Sequence, residues 1–197
     1  MRKFLALVVM LACGQAWAGS GSMEVGGTQP AEVQRVVVAG LGSIDYQPLF
    51  EAVSEPGETL DAFVIRVAPR LVAYSDTTGF EACGVLASNG DRFGLAVGTN
   101  RSHVACASFR NKVPAGMVST AETVHSHGKG AARLNRNDLR FLGLSEDARS
   151  HRMFGTLHGQ DRFRFSERDL AGEAGYLATP HGVVHHNGGG QTRAVMP

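Results

Sequence analysis

The chain has 197 residues, of which 43% are hydrophobic, and its 19 basic residues nearly balance its 18 acidic ones. This composition is that of a globular protein, and it excludes a broad charged surface for nucleic acid or for an anionic membrane. Beyond the first eighteen residues, no apolar run is long enough to cross a bilayer as a helix. The remaining length suits one domain with a hydrophobic core.

The first segment, residues 1–18, has the pattern of a secretory signal. Two basic residues precede an apolar run over residues 4–12, and residues 16–18 form an Ala-Trp-Ala cleavage site. The run is too short to be a permanent transmembrane helix. We therefore expect an exported chain, either periplasmic or secreted. Lipoprotein processing at Cys13 is the alternative, because the residues before it loosely fit a lipidation box.

Residues 19–32 are rich in Gly, Ser, Thr and Pro and are predicted to form a flexible leader before a single domain over residues 33–186. A β-branched run over residues 33–39 predicts the first strand. The Gly-Leu-Gly-Ser segment at 40–43 lacks the third glycine and the helix of a phosphate-binding loop. We therefore predict a plain turn there.

Residues 59–73 are predicted to form an amphipathic helix. Apolar side chains recur at helical spacing from Leu60 to Leu71, and Thr59 can cap the start. Pro69 lies within the pattern and is expected to kink or end the helix near residue 68. The apolar stripe is expected to belong to the core.

A sheet is predicted to follow the helix. Residues 80–86 and 92–98 are predicted strands, joined by a Ser-Asn-Gly-Asp hairpin signal at 88–91. Residues 103–109 are predicted to continue the same sheet as a meander.

Cys83 and Cys106 are the cysteines that remain after the signal. An exported compartment permits a disulfide between them. A meander would separate the two cysteines by two strand spacings, about 9–10 Å, which is beyond ordinary disulfide reach. Whether they pair stays open at this point.

The next predicted strand, over residues 117–126, leads into Val-His-Ser-His-Gly at 124–128. Alternate residues of a strand share one face, so His125 and His127 can reach one metal ion together. Zinc accepts neutral imidazole nitrogens, but a complete site needs a further ligand from elsewhere. The alternative is a solvated or core histidine pair.

Glu81 stands at the start of a mostly apolar predicted strand. A buried carboxylate is costly unless it has a partner. At a strand edge it is usually solvated, whereas close to a metal it can carry a proton in transit.

Residues 129–165 form the least regular part and are predicted to be an inserted loop. From Lys129 to Arg168 the chain has nine basic and five acidic residues. One interpretation is a solvated surface insertion. The other is a lid whose arginines hold an anionic substrate.

Ser166 is a predicted helix N-cap with Asp169 at the third helical position, which favours a capping box. Residues 176–184 are predicted to form a strand, a turn and a strand. The Gly-rich tail over residues 187–197 is predicted to be flexible. The three nearby histidines are expected to be exposed: His181, His185 and His186.

Three motifs occur in order along the chain: Glu-Ala-Cys-Gly at 81–84, His-Ser-His at 125–127 and Ser-Glu-Arg-Asp at 166–169. Together they resemble the JAMM (MPN-like) zinc metallopeptidases, whose pattern is Glu-x-x-Gly, then His-x-His, then Ser-x-x-Asp. A deaminase site is excluded because the chain has no Pro-Cys-x-x-Cys segment.

More narrowly, the chain resembles a bacterial branch of unassigned function with His-Thr-His-Gly, Phe-Ser-x-x-Asp and Tyr-Leu-Gly-Thr-Pro-x-Gly motifs. Residues 125–128, 165–169 and 176–182 match these motifs in order. The resemblance covers roughly residues 59–186. It implies an α/β (α+β) fold, with a mixed, largely antiparallel sheet flanked by helices, as in JAMM and cytidine deaminase domains.

The resemblance also implies residue roles. His125, His127 and Asp169 would hold Zn²⁺. Glu81 would act as the general base, and Ser166 would hydrogen-bond the oxyanion. The implied activity is hydrolysis of peptide or isopeptide bonds in a peptide or protein substrate, with cell-wall peptides as natural candidates outside the cytoplasm.

The spacing of the third motif departs from the family. Most members place the serine soon after the second histidine, whereas here 38 residues separate His127 from Ser166. Asn-Arg-Asn-Asp at 135–138 lies at the short spacing, so Asp138 is a rival third ligand. The sequences flanking the later motif favour Asp169.

Two other functions stay open. A secreted binding or assembly module could keep the fold without catalysis. A toxin delivered to another cell would share the hydrolase chemistry but act on a different target. No partner nucleic acid or membrane span is expected.

Overall fold

The computed structural model describes residues 31–128, 133–145 and 161–196. The predicted signal, most of the leader and most of the predicted insertion therefore lie outside the described residues. The described elements, in chain order, are β1 (Gln34–Val38), β2 (Gly42–Val53), α1 (Leu60–Thr78), β3 (Ala82–Ser88), β4 (Phe93–Thr99), β5 (Val118–Ser126), α2 (Arg136–Phe141), α3 (Glu167–Leu170), β6 (Gly175–Thr179), β7 (Gly182–His186) and β8 (Thr192–Val195).

The strands form one eight-stranded sheet in the order β1-β2-β4-β3-β5-β6-β7-β8. Neighbouring strands in the sheet are antiparallel, except for β5 and β6, which are parallel. A parallel pair needs a long crossover, and the chain between β5 and β6 supplies it. The predicted mixed, largely antiparallel sheet with helices is confirmed at this level.

Helix α1 covers one face of the sheet and forms the core with it. Its buried side chains include Phe63, Val64 and Leu71, and they pack against apolar residues of β3 to β7. Thr59 caps the start as predicted, because its side chain accepts the N–H of Ala62. No described helix is both long and apolar enough to cross a membrane.

The prediction that the helix would end near residue 68 is wrong. The helix continues through Pro69 to Thr78 and ends at Gly79, which is left-handed at φ 78°. A proline inside a helix costs about 3 kcal/mol. Pro69 faces solvent, and burial of Leu71 and Ser75 beyond it needs the last two turns. Burial of one large apolar side chain offsets most of that cost.

The hairpin of β3 and β4 confirms the predicted turn at residues 88–91. The predicted strand at 80–86 begins two residues later than expected, at Ala82. The predicted strand at 103–109 is wrong, because that segment has no regular structure. The meander would place it beside β4, but that edge of β4 pairs with β2, and the other edge pairs with β3.

The irregular segment instead folds back over the sheet and settles the open question about the cysteines. Cys83 and Cys106 form a disulfide with their Cα atoms 5.9 Å apart. Cys83 is the register partner of His125 in the β3·β5 ladder. The disulfide therefore lies on the same face of the sheet as that histidine, opposite α1.

The predicted flexible tail is also wrong for residues 192–195, which form β8 and pair with β7. Arg193 on this strand makes a two-pronged ion pair with Asp61 of α1, and Tyr176 donates its hydroxyl to the same carboxylate. These contacts join the last strand to the helix. His186, expected to be exposed, is only 2% exposed because β7 lies inside the sheet.

Candidate metal centre

Strand β5 aims two imidazoles at one point. His125 lies on the face opposite α1, since its neighbours Val124 and Ser126 turn to the core and to Ser75 of the helix. His127 follows one residue beyond the strand, on the same side. The two Nε2 atoms are 3.2 Å apart.

Asp169 reaches the same point from the far end of the crossover. It is the third residue of α3, and β6 then enters the sheet beside β5 in parallel. Its Oδ1 lies 3.6 Å from Nε2 of His125, and its Oδ2 lies 3.3 Å from Nε2 of His127. Ligand atoms of these three residues all lie within 4.8 Å of one another.

The distances are short enough for one ion to contact all three residues. Two ligand atoms that each lie about 2.0–2.1 Å from a tetrahedral zinc are about 3.3–3.4 Å from each other. The separation of 3.2 Å between the two Nε2 atoms is close to such an edge, and each imidazole has a different oxygen of Asp169 nearby, at 3.6 Å for His125 and 3.3 Å for His127. Two imidazoles and one carboxylate also leave one position for water, as catalytic zinc sites do.

The second ring nitrogen of His127 supports this arrangement. Its Nδ1 lies 2.7 Å from the backbone carbonyl oxygen of Asp161. A carbonyl only accepts, so Nδ1 carries the proton and the neutral ring has its lone pair on Nε2. Metal-binding histidines are commonly held by such a contact.

The pKa values of all three residues are shifted from their ordinary values. Burial lowers the pKa of His125. Burial opposes ionisation of Asp169, but hydrogen bonds to His125 and His127 outweigh it and hold its pKa far below the usual range. For His127, burial lowers the pKa, and the contact with Asp169 and the charge of Glu81 reverse that into a net rise. An anionic carboxylate thus faces both rings.

Glu81 is the fourth ionisable group of the site. It is 3% exposed, and its Oε1 is buried without a hydrogen-bond partner among the described residues. Burial raises the pKa of Glu81 to about 8, while the neighbouring His127 opposes the rise. Two hydrogen bonds hold its backbone: its N–H donates to the carbonyl oxygen of Ser102, and its carbonyl oxygen accepts from the Thr99 hydroxyl.

Ser166 lies on the cavity wall, and its hydroxyl is already engaged. It donates to Oδ2 of Asp169 at 2.6 Å and accepts the backbone N–H of the same residue at 3.2 Å. The Asp169 carboxylate accepts the Ser166 backbone N–H in return, which completes the predicted capping box. In this geometry Ser166 orients a candidate metal ligand.

Asp138 lies elsewhere and has another task. It is fully buried, and it accepts the Ser102 hydroxyl, the backbone and ring N–H groups of His103, and the backbone N–H of Asn135. Burial opposes its ionisation, and the contact with His103 outweighs this and lowers the pKa of Asp138. Asp138 therefore joins α2 to the segment beside Glu81 and is not one of the three grouped ligands.

A cavity of about 830 Å³ borders the site. Its lining includes the disulfide, residues 103–108, the start of α3, and the side chains of Glu81, Thr123, His125 and His186. The sequence interpretation missed Thr123, His103 and His186 as cavity residues. Strand alternation in β7 would have placed His186, had the tail been predicted to pair.

Comparisons of the chain with protein-family models, with curated proteins and with solved structures find no match.

Proposed function

We propose that this chain is a zinc-dependent hydrolase of peptide or isopeptide bonds, of the JAMM type, acting outside the cytoplasm. One observation carries the proposal: ligand atoms of His125, His127 and Asp169 lie within 4.8 Å of one another, and the buried carboxyl of Glu81 lies close enough for His127 and Asp169 to shift its pKa. The order of the motifs along the chain, which resembles the JAMM pattern, supports the same reaction class.

The three grouped residues would hold the ion through two Nε2 atoms and a carboxylate oxygen. Zinc in such a site acts as a Lewis acid and lowers the pKa of a bound water toward about 7. Glu81 is the base in our proposal: its carboxylate takes a proton from the attacking water and gives it to the leaving nitrogen. The C–O bond forms first and turns the carbonyl oxygen into an oxyanion, and the C–N bond then breaks as the nitrogen takes the proton.

The protonation of Glu81 agrees with this role. A carboxyl with a pKa of about 8 is neutral at pH 7. A nearby cation favours the ionised form of a carboxyl group. Occupation of the metal site would therefore turn Glu81 into the carboxylate that the reaction needs.

Ser166 is a positioning residue in this proposal. Its hydroxyl donates a hydrogen bond to Asp169 and so holds the carboxylate toward the two imidazoles. The oxyanion role implied by the family resemblance requires the hydroxyl to turn away from Asp169 when substrate binds.

The burial of Glu81 favours an enzyme over the alternative of a binding or assembly module. A buried carboxyl oxygen without a hydrogen-bond partner costs stability. A module that only docks a partner gains nothing from this group, whereas a hydrolase needs it as its base.

The proposed location and substrate follow from two features. The signal-like segment at residues 1–18 favours export, and the disulfide between Cys83 and Cys106 is the kind of bond that persists in oxidising compartments. Cell-wall peptides, or proteins outside the cytoplasm, are then the natural substrates.

The test is metal analysis of the purified protein, followed by a peptide-substrate screen with and without a chelator. We expect one zinc per chain and cleavage that stops on chelation. Glu81→Gln should keep the zinc and lose turnover, while Glu51→Gln, an exposed carboxyl on β2, should keep both. Stoichiometric zinc without any cleavage would favour the binding module, and turnover in the Glu81 variant would remove the proposed base.

A further inference from the structure

His186 and Thr123 line the cavity beside the metal centre. Both border the cavity, and both pair in register with Gly175, from opposite sides of β6. The three residues form one row across three strands, on the face of the sheet opposite α1. The next row on this face contains His125, which lies two residues after Thr123 on β5.

The hydrogen bonding of His186 fixes its tautomer. The backbone N–H of Gly188 donates to its Nδ1 at 3.2 Å. In the neutral ring the proton is therefore on Nε2, at the far end of the side chain. Among the described residues, no group accepts a hydrogen bond from that Nε2–H. The side chain of His186 is otherwise almost fully covered and borders the cavity, so a partner for this N–H would have to come from the cavity.

Gly175 leaves room for the Thr123 side chain. A Cβ atom at this position would lie 2.7 Å from Oγ1 of Thr123 and 2.9 Å from its carbonyl oxygen. The Thr123 hydroxyl thus occupies the place that a side chain of β6 would fill, on the strand that separates β5 from the strand of His186. No described residue makes a hydrogen bond with this hydroxyl, which can both donate and accept.

Two distances relate the row to the reacting centre. Residues two apart on a strand are about 6.6 Å apart, so Thr123 lies that far along β5 from His125. The ring of Phe165 stands between the two histidines, 5.8 Å from His125 and 4.6 Å from His186 between ring centroids. An extended peptide advances about 3.3 Å per residue, so the row matches a side chain within about two positions of the cleaved bond.

The charge of the row favours a neutral ligand. Burial, followed by the nearby His185 and His125, lowers the pKa of His186, so the ring is uncharged at neutral pH. Among the other residues that line the cavity, acidic side chains outnumber basic ones, with Arg168 against Glu81, Glu167, Asp169 and Glu173. An incoming carboxylate would find one N–H donor and no cation in the row, which is a poor replacement for its hydration.

We propose that His186 and Thr123 form a substrate subsite that binds a neutral side-chain amide, asparagine or glutamine, close to the cleaved bond. The amide carbonyl accepts from Nε2–H of His186, and the amide NH₂ donates to Oγ1 of Thr123. Its relation to a cleaved bond rests on the proposed function, while the binding chemistry rests on the row itself.

The binding test uses three probes of nearly equal shape on the purified protein: the N-acetyl amides of asparagine, aspartate and leucine. Titrations are followed by NMR. We expect the asparagine probe to bind at least fivefold more tightly than the other two. His186→Leu and Thr123→Val should each weaken it about five- to tenfold, which is the loss of one neutral hydrogen bond.

Matched variants separate hydrogen bonding from folding. His186→Gln keeps an N–H donor at a similar reach and should recover most of the binding. His181→Leu and Thr192→Val, at exposed positions, should change nothing. Equal binding of the aspartate probe, or of the leucine probe, would overturn the proposal, and so would binding that survives both substitutions in the row.

A peptide library varied at one position at a time distinguishes this inference from the proposed function. If peptides are cleaved without preference for asparagine or glutamine, and the amide probe does not bind, the subsite is wrong and the hydrolase stands. If the probe binds with the expected variant pattern but no peptide is cleaved, the subsite stands and the hydrolase fails.

Discussion

Substituting the two rival aspartates should separate metal binding from structure. Asp169→Asn keeps a side-chain oxygen that can accept the backbone N–H of Ser166 in the capping box, but it removes the carboxylate beside the imidazole pair. Structural zinc sites bind with about 10–16 kcal/mol, roughly 2.5–4 kcal/mol for each of four ligands. Loss of Asp169 should therefore weaken zinc about 10²–10³-fold.

Asp138→Asn should do the opposite. Asp138 accepts four hydrogen bonds while fully buried, so we expect a loss of about 2–4 kcal/mol in the free energy of unfolding. Its zinc affinity should change less than tenfold, below the usual effect of an outer-shell partner. The assays are competition with a chelating dye and urea unfolding of the metal-free protein. Weaker zinc binding in the Asp138 variant than in the Asp169 variant would refute the assignment.

Three further predictions concern the groups around the site. In the metal-free protein, folded Glu81 keeps a proton that the unfolded chain releases above about pH 4.3, so stability falls as pH rises toward 8. Glu81→Gln should remove this fall and gain about 3–5 kcal/mol at pH 8 in urea unfolding, whereas parallel pH profiles would contradict the burial argument. Ser166→Ala should weaken zinc about 10–100-fold in dye competition, and unchanged affinity would deny its positioning role. Replacing both Cys83 and Cys106 by serine should cost about 3 kcal/mol for a separation of 23 residues, measured against the oxidised protein; equal stability would show that the bond constrains little.

Local patterns predicted the parts of the site that local physics determines. The alternation of β5 placed His125 and His127 on one side, and the Ser-x-x-Asp spacing predicted the capping box at Ser166. Each of these features depends on residues within four positions of one another. Their outcome does not depend on the rest of the fold.

The meeting of these parts could not be derived from spacing alone. Asp169 comes close to the imidazoles because β6 pairs in parallel with β5, and no local pattern distinguishes that pairing from an antiparallel one. The family resemblance, and not the periodicity, favoured Asp169 over Asp138.

The errors have the same origin. The 103–109 segment has strand-forming residues, but both edges of β4, beside which it was predicted to lie, are already paired, with β2 and with β3. Pro69 would end an isolated helix, but it faces solvent on a helix whose other side is buried. The tail over residues 187–197 is rich in glycine, yet four of its residues find the free edge of β7. In each case tertiary packing decides against the local preference.

Gly128 has a consequence for tracing the descent of this domain. A Cβ atom there would lie 2.0 Å from the carbonyl oxygen of Gly79, at the end of α1, so the two backbones touch directly. The requirement is geometric and owes nothing to the ion. Homologues that have lost the histidines through relaxed selection should still retain this glycine, whereas an unrelated His-x-His sequence has no reason to have one. The residue after the pair is thus a marker of ancestry, and the pair itself is a marker of chemistry.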